Sequence, residues 1–150
     1  MKARDLMTPN PAVVTGEDRI TRAAELMRDR DVGLIPVVDD LGHMHVAGVI
    51  SDRDIAVRCV ADAHDSGCLV REHMTRGELD TVTPDADSED VIKLMERDQV
   101  RRVLVVDERH RLQGIIAQAD LARRMGPSEP LKVEEVVEAI SMPAPVRATT

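Results

Sequence analysis

The sequence contains no phenylalanine, tyrosine or tryptophan. A core built from it must rest on Val, Ile, Leu, Met and Ala, and no aromatic platform exists on which the bases of a single strand can stack. Positive charge is not in excess either. Against 20 Lys and Arg stand 28 Asp and Glu, a formal net charge of -8, which disfavours a nucleic-acid partner because phosphate-backbone affinity comes from clustered cations. Basic pairs such as Arg101-Arg102 and Arg123-Arg124 still suit one small phosphate group. Long apolar runs are missing. No stretch approaches the ~18 consecutive apolar residues of a membrane span, and the N-terminus lacks the apolar segment of a signal peptide, so no membrane association and a cytoplasmic location are expected. Cysteine is scarce. Cys59 and Cys68 are the two present, expected as free thiols in a reducing compartment and, with no histidine pair read beside them, as a poor zinc site.

Catalytic signatures are absent as well. There is no nucleophile beside a base, no glycine-rich phosphate loop and no carboxylate pair in an evident cleft, so the chain reads as a non-enzyme with no required cofactor and no metal residues. His43 and His45 are the only close pair among five histidines. Strand alternation would put both rings on one face, but two ligands make an incomplete metal site.

What is present is a repeat. Gly48-Val49-Ile50-Ser51-Asp52-Arg53-Asp54-Ile55 reads as a strand running straight into a helix, with Ser51 at the joint. Asp54 follows one turn later on the same side. A hydroxyl and a carboxylate on one face of a helix start suit a polyol such as ribose; the same two residues also make a capping box, in which Asp54 reaches back to the Ser51 N–H. The stretch recurs as Gly114-Ile115-Ile116-Ala117-Gln118-Ala119-Asp120-Leu121. The match extends to Arg4–Thr8 with Arg71–Thr75, Val14-Thr15 with Val82-Thr83, Glu25–Met27 with Lys93–Met95, and Pro36–Asp39 with Leu104–Asp107. The offset stays between 66 and 68, changing only where loops are expected.

The chain of 150 residues is 43% apolar and 32% charged, enough for one globular domain or two mutually dependent ones. A short helical turn is expected over Lys2–Met7, a strand at Val13–Thr15, and a helix from about Asp18 to Arg30 with Ile20, Ala23, Ala24 and Met27 inward. Leu34–Val38 and Val46–Ile50 read as strands joined by a hairpin turn at Asp39–His43. A helix follows from Ser51 to about Asp62, burying Ile55, Ala56, Cys59 and Val60. The second copy repeats the plan: a lead-in turn over Leu69–Met74, a strand at Asp80–Thr83, and a helix from Ser88, its cap, to Arg97. Strands at Val103–Val106 and Leu112–Ile116 precede a helix over Gln118–Met125. Each copy is β-α-β-β-α and too small to bury its sheet alone, which stacking two sheets would solve. Boundaries are set at 1–65, 66–126 and 127–150. The last segment holds an amphipathic helix around Val133–Ile140 and a tail, 142–150, expected to be disordered.

These linked motifs resemble a pair of CBS domains, a Bateman module of the stand-alone bacterial type. They are the Met-Thr lead-in, the Val-Thr strand, Ile-Pro-Val-Val-Asp, and the Gly-Val-Ile-Ser-x-x-Asp-Ile joint. The resemblance covers about residues 1–125 and implies an α/β (α+β) fold of two repeats packed sheet to sheet with pseudo-twofold symmetry. It implies clefts between the repeats for an adenosine-containing ligand: AMP, ADP or ATP, and less readily S-adenosylmethionine or NAD. Carried over by position, Ser51 and Asp54 would hold ribose, Thr15, Ile35 and Pro36 would line the adenine pocket, and Arg53, Arg101 and Arg102 would face phosphate. Thr83 and Asp120 are the corresponding residues of the second copy. There Ala117 replaces the hydroxyl residue and Leu104 the proline, so that site is expected to bind weakly or not at all. The family also implies a homodimer and an unknown protein regulated in trans; the alternative is a ligand-free scaffold.

Overall fold

Residues 1–65, 67–126 and 130–141 are described by the computed structural model. In chain order the elements are α1 (Ala3–Leu6), β1 (Thr8–Pro9), β2 (Val14–Thr15), α2 (Ile20–Arg30), β3 (Leu34–Val38), β4 (Val46–Ser51), α3 (Asp52–Asp54), a π-helical segment (Ile55–Val60), α4 (Val70–His73), β5 (Thr81–Val82), α5 (Ser88–Asp98), β6 (Arg102–Val106), β7 (Leu112–Ala117), α6 (Gln118–Met125) and α7 (Pro130–Ser141). The fold is mixed α/β, and both copies follow the expected β-α-β-β-α order. Among the described residues no helix is long and apolar enough to cross a membrane.

The chain forms two units. Of the described residues, one takes those within Asn10–Leu79 and Asp107–Leu112; the other takes those within Met1–Pro9 and Asp80–Val106 and from Gln113 onward. Each unit therefore contains the lead-in turn of the other copy in the sequence. In the first, Val70 and Met74 of the α4 turn join Val14, Ile20, Ala23, Leu26, Met27, Ile35, Val37, Ile50 and Cys59 in one core. In the second, Ala3 and Leu6 of α1 join Val91, Met95, Val103, Val105, Ile116 and Leu121. The backbone bonds correspond: Ile20 N–H to Cys68 O (2.8 Å) and Val70 N–H to Asp18 O (2.8 Å) in one unit, Ala3 N–H to Ala86 O (2.8 Å) and Ser88 N–H to Met1 O (2.8 Å) in the other.

In the first unit the sheet order is β2-β3-β4, with β2 parallel and β4 antiparallel to β3. Pro36 lies in this central strand, which normally excludes proline because the ladder needs its N–H. The register removes the conflict. Pro36 faces Val49, whose N–H and C=O both bond to Thr75, at 3.0 and 2.8 Å. That pair is thus not hydrogen-bonded across β3 and β4. The nitrogen of Pro36 turns to the other side, where the β2 pairing begins only at Val37. In the second unit the order is β1-β7-β6-β5.

The two motif glycines are explained by the lead-in segments that cross them. A Cβ on Gly48 would meet the Thr75 carbonyl oxygen at 2.5 Å, and one on Gly114 the Met7 sulfur at 2.6 Å and the Thr8 carbonyl at 2.8 Å. Only glycine admits a backbone so close.

Three local expectations are corrected. In α2 the buried face is Ile20, Ala23, Leu26 and Met27; Ala24 is exposed, because the larger leucine on the opposite flank of the stripe takes the core. After Asp54 the helix widens to π geometry, with Ala61 N–H bonding Ala56 O and His64 N–H bonding Cys59 O, both at 2.9 Å. The altered winding keeps only Cys59 buried and turns Ala56 and Val60 out to solvent. The N-cap of α5 is Asp87, not Ser88, which is buried inside the first turn; the Asp87 carboxylate pairs with Lys2 Nζ at 2.8 Å. The amphipathic tail helix is present as α7 and buries Val136 and Ile140 in the second core. The segment 142–150, expected to be disordered, lies outside the described residues.

Candidate functional site

Strand β4 ends at Ser51, whose extended backbone (φ -109°, ψ 162°) turns the chain into α3. The Asp54 N–H donates to Ser51 Oγ and the Ser51 N–H donates to Asp54 Oδ2, each at 3.0 Å. This is a complete capping box, so the structural reading of Ser51-x-x-Asp54 is realised. More is attached to it. The ladder between Val49 and Thr75 brings the Thr75 hydroxyl to 3.3 and 3.4 Å from the two Asp54 oxygens. Arg58, one turn on, has Nε 3.7 Å from Asp54 Oδ1 and donates from Nη1 to the His73 and Met74 carbonyls at 3.4 and 3.3 Å. Among the described residues Asp54 Oδ1 makes only these long contacts, and its side chain remains 13% exposed. A carboxylate offers about four acceptor positions. This one is held in place by its cap and retains acceptor capacity toward solvent.

The register decides what lies near this corner. Leu34 pairs with Ser51, Ile35 with Ile50 and Pro36 with Val49, so Ile35 and Pro36 share the Ser51 end of the sheet, both buried. Arg53 is exposed, and its N–H donates to Asp52 Oδ1 at 2.8 Å. Thr15 pairs with Val38, four β3 residues from the partner of Ser51, or about 13 Å along the strand. Its N–H donates to Asp18 Oδ2 at 2.8 Å.

The remaining candidates belong to the other unit. Ala117 caps α6 without an oxygen, leaving only the return half of the box: the Ala117 N–H donates to Asp120 Oδ2 at 2.7 Å. The second Asp120 oxygen is taken by the Arg123 guanidinium, and the carboxylate is 4% exposed. Arg101 is tied to this helix start through its backbone, its carbonyl accepting from the Gln118 N–H at 2.9 Å. Arg102 opens β6. Thr83 follows β5, and its carbonyl accepts from the Ala86 N–H at 3.1 Å.

Thr75 and Arg58 escaped the sequence reading. Arg58 was signalled by its i, i+4 spacing from Asp54. Thr75 belongs to the lead-in of the second copy, and sequence does not say which strand a lead-in will join. A second omission concerns Cys59 and Cys68. Their thiols and the His73 imidazole lie within 4.8 Å of one another, and His64 Nδ1 is 3.4 Å from His73 Nε2. The expectation of cysteines without a histidine pair is therefore corrected. The signal was Cys59-x4-His64 followed by Cys68-x4-His73. The hairpin pair His43 and His45 does share a face, its rings stacked 6.0 Å apart. Each ring is held by its own carboxylate, Asp40 at 2.8 Å and Asp39 at 3.0 Å.

The sequence profile of the CBS domain matches residues 3–60 and again 70–126. The chain belongs to the CBS-domain family. Hypoxic response protein 1 of Mycobacterium tuberculosis is 35% identical over 123 residues, 82% of this chain and 84% of that protein. A crystal structure of Hypoxic Response Protein I with two coordinated zinc ions superposes with a TM-score of 0.72 at 34% identity, over 82% of this CBS-domain chain and 98% of that one. CBSX2 in complex with AMP gives a TM-score of 0.70 at 29% identity, covering 81% and 93% of the two chains. The CBS domain pair of protein MJ0100 in complex with 5'-methylthioadenosine and S-adenosyl-L-methionine gives 0.73 at 26% identity, covering 85% and 97%.

Proposed function

We propose that this CBS-domain protein is a non-catalytic regulatory module. It binds one adenosine-containing ligand per chain at the Ser51–Asp54 corner, AMP, ADP or ATP in preference to S-adenosylmethionine or NAD. The observation that carries the proposal is the Asp54 carboxylate, oriented by the Ser51 cap and Thr75 yet with Oδ1 held only by long contacts. In this reading Oδ1 accepts the two ribose hydroxyls, as charge-assisted bonds to a cis-diol require. Ile35 and Pro36 present backbone groups to the base, and the exposed Arg53 meets phosphate. The AMP complex of CBSX2 and the nucleoside complex of the MJ0100 pair support the ligand class.

Ligand binding would bias contacts with a protein regulated in trans, through differential affinity for two states. The module would act as a homodimer; Val57 and Val60, 49% and 66% exposed on the π-helical segment, supply apolar surface for it. A ligand-free scaffold is the competing reading, favoured by the fact that Ser51 and Asp54 already satisfy each other as a cap. Calorimetric titration of nucleotide-stripped protein with AMP, ATP, S-adenosylmethionine and NAD separates the two. Saturable binding of one ligand per chain, lost in Asp54→Ala, is expected; absence of heat and of any thermal shift with all four would favour the scaffold.

A further inference from the structure

We propose that Cys59, His64, Cys68 and His73 form a tetrahedral binding site for a zinc-class divalent ion. The site shares no ligand with the Ser51–Asp54 corner and clips the π-helical segment to α4. Cys59 closes the first CBS-domain match, His73 lies early in the second, and His64 and Cys68 fall in the interval between them. The site is thus a feature of this chain's connecting loop and not of the repeated motif.

The donor set is two thiols and two imidazoles, the combination that binds zinc in closed, four-ligand sites. Ligand atoms of Cys59, Cys68 and His73 lie within 4.8 Å of one another. The facing ring nitrogens of His64 and His73 are 3.4 Å apart, close to the ~3.3 Å that two nitrogens ~2.0 Å from one tetrahedral ion must have. Two of the four side chains are buried, Cys59 at 3% and His73 at 4% exposure. A shared metal accounts for why a histidine and a cysteine are taken out of water side by side. Cysteine binds such an ion as the thiolate, so binding displaces the thiol protons to solvent. At one edge of the site Arg58 is already bonded to the His73 carbonyl.

The test uses the full chain, reduced and stripped of metal, titrated with Zn2+ and separately with Co2+. One ion per chain, a rise in melting temperature, and the visible spectrum of tetrahedral cobalt with thiolate ligands are expected. His64→Ala, at an exposed position, and Cys68→Ser should each weaken binding by more than the ~10–100-fold that loss of a ligand's hydrogen-bond partner costs. Circular dichroism of both variants shows whether they remain folded. No stoichiometric binding by the reduced protein overturns the proposal. So does binding that survives Cys68→Ser and is lost in His43→Ala, since the ion would then sit at the exposed Asp39, Asp40 and His43 group.

Discussion

Asp54 and Asp120 occupy the same position in two copies of one motif, and their surroundings have diverged in opposite directions. Asp54 sits behind a serine cap, touches a threonine hydroxyl, and keeps one oxygen held, among the described residues, only by long contacts, its side chain 13% exposed. Asp120 sits behind an alanine, has both oxygens engaged by the Ala117 N–H and Arg123, and is 4% exposed. A carboxylate that is fully coordinated from within contributes to stability; one with an acceptor left over can contribute to binding. Replacing one hydroxyl and supplying one guanidinium takes up the acceptor capacity that the same residue keeps in the first copy.

The largest effect that bears on this contrast is on ligand affinity. Asp54→Ala removes charge-assisted hydrogen bonds of about 1.5–3 kcal/mol each, so adenine-nucleotide affinity measured by calorimetry should fall at least tenfold. Asp120→Ala should leave it unchanged. An equal loss in both variants would break the comparison. Stability should respond in the reverse order. Asp120→Ala leaves the Ala117 N–H without its partner and strands Arg123, at a cost of about 1–3 kcal/mol in urea unfolding, whereas the more exposed Asp54→Ala should cost less.

Ala117→Ser sharpens the contrast. The new hydroxyl can accept the Asp120 N–H and complete the box, a gain of about 0.5–2 kcal/mol. Nucleotide stoichiometry should remain at one per chain, because Arg123 still covers the carboxylate; a second bound nucleotide would mean that the hydroxyl alone separates the two corners.

The smallest effect concerns a carboxylate pair found only in the second copy. Burial, then a hydrogen bond that the protonated Asp80 donates to Asp98 and the Asp98 charge, push Asp80 up to about 6, while Asp98, held first by Arg97, falls to about 2. A carboxyl whose folded pKa is raised destabilises the fold above that pKa and recovers as pH falls toward its ordinary value near 3.8. A depressed one, such as Asp98, contributes stability above its ordinary value and loses it as pH falls toward about 2. At the offset of 68 the first copy has Ala12 and Arg30 at these places. Asp80→Ala should therefore raise the melting temperature by a few degrees at pH 7.5 and by clearly less near pH 4.5, the gain vanishing below the ordinary value near 3.8. A gain that is the same at both pH values would remove the pair from the account.

Much of this molecule was legible in one dimension. Strand β3, Leu34–Val38, and helix α6, Gln118–Met125, have the bounds that hydrophobic pattern and caps imply. Such elements depend on residues within a few positions of one another. The Ser51–Asp54 capping box was legible for the same reason. Errors arose where a distant neighbour decides. Leu26 displaced Ala24 from the core stripe because a larger side chain filled the space beneath α2. Ala56 and Val60 were turned outward when the helix after Asp54 widened.

By itself the sequence determined that there are two copies, where their strands and helices lie, and that the second has lost its cap hydroxyl, because these are matters of local spacing and residue type. Only the tertiary structure decided that each core takes the other copy's lead-in turn. It placed Thr75 beside Asp54, and it gathered Cys59, Cys68 and His73 with His64 against His73. Those outcomes depend on which backbone crosses Gly48 and Gly114 and on how the winding changes after Asp54. These are contacts between segments far apart in the chain or set by non-α geometry, which residue spacing does not encode.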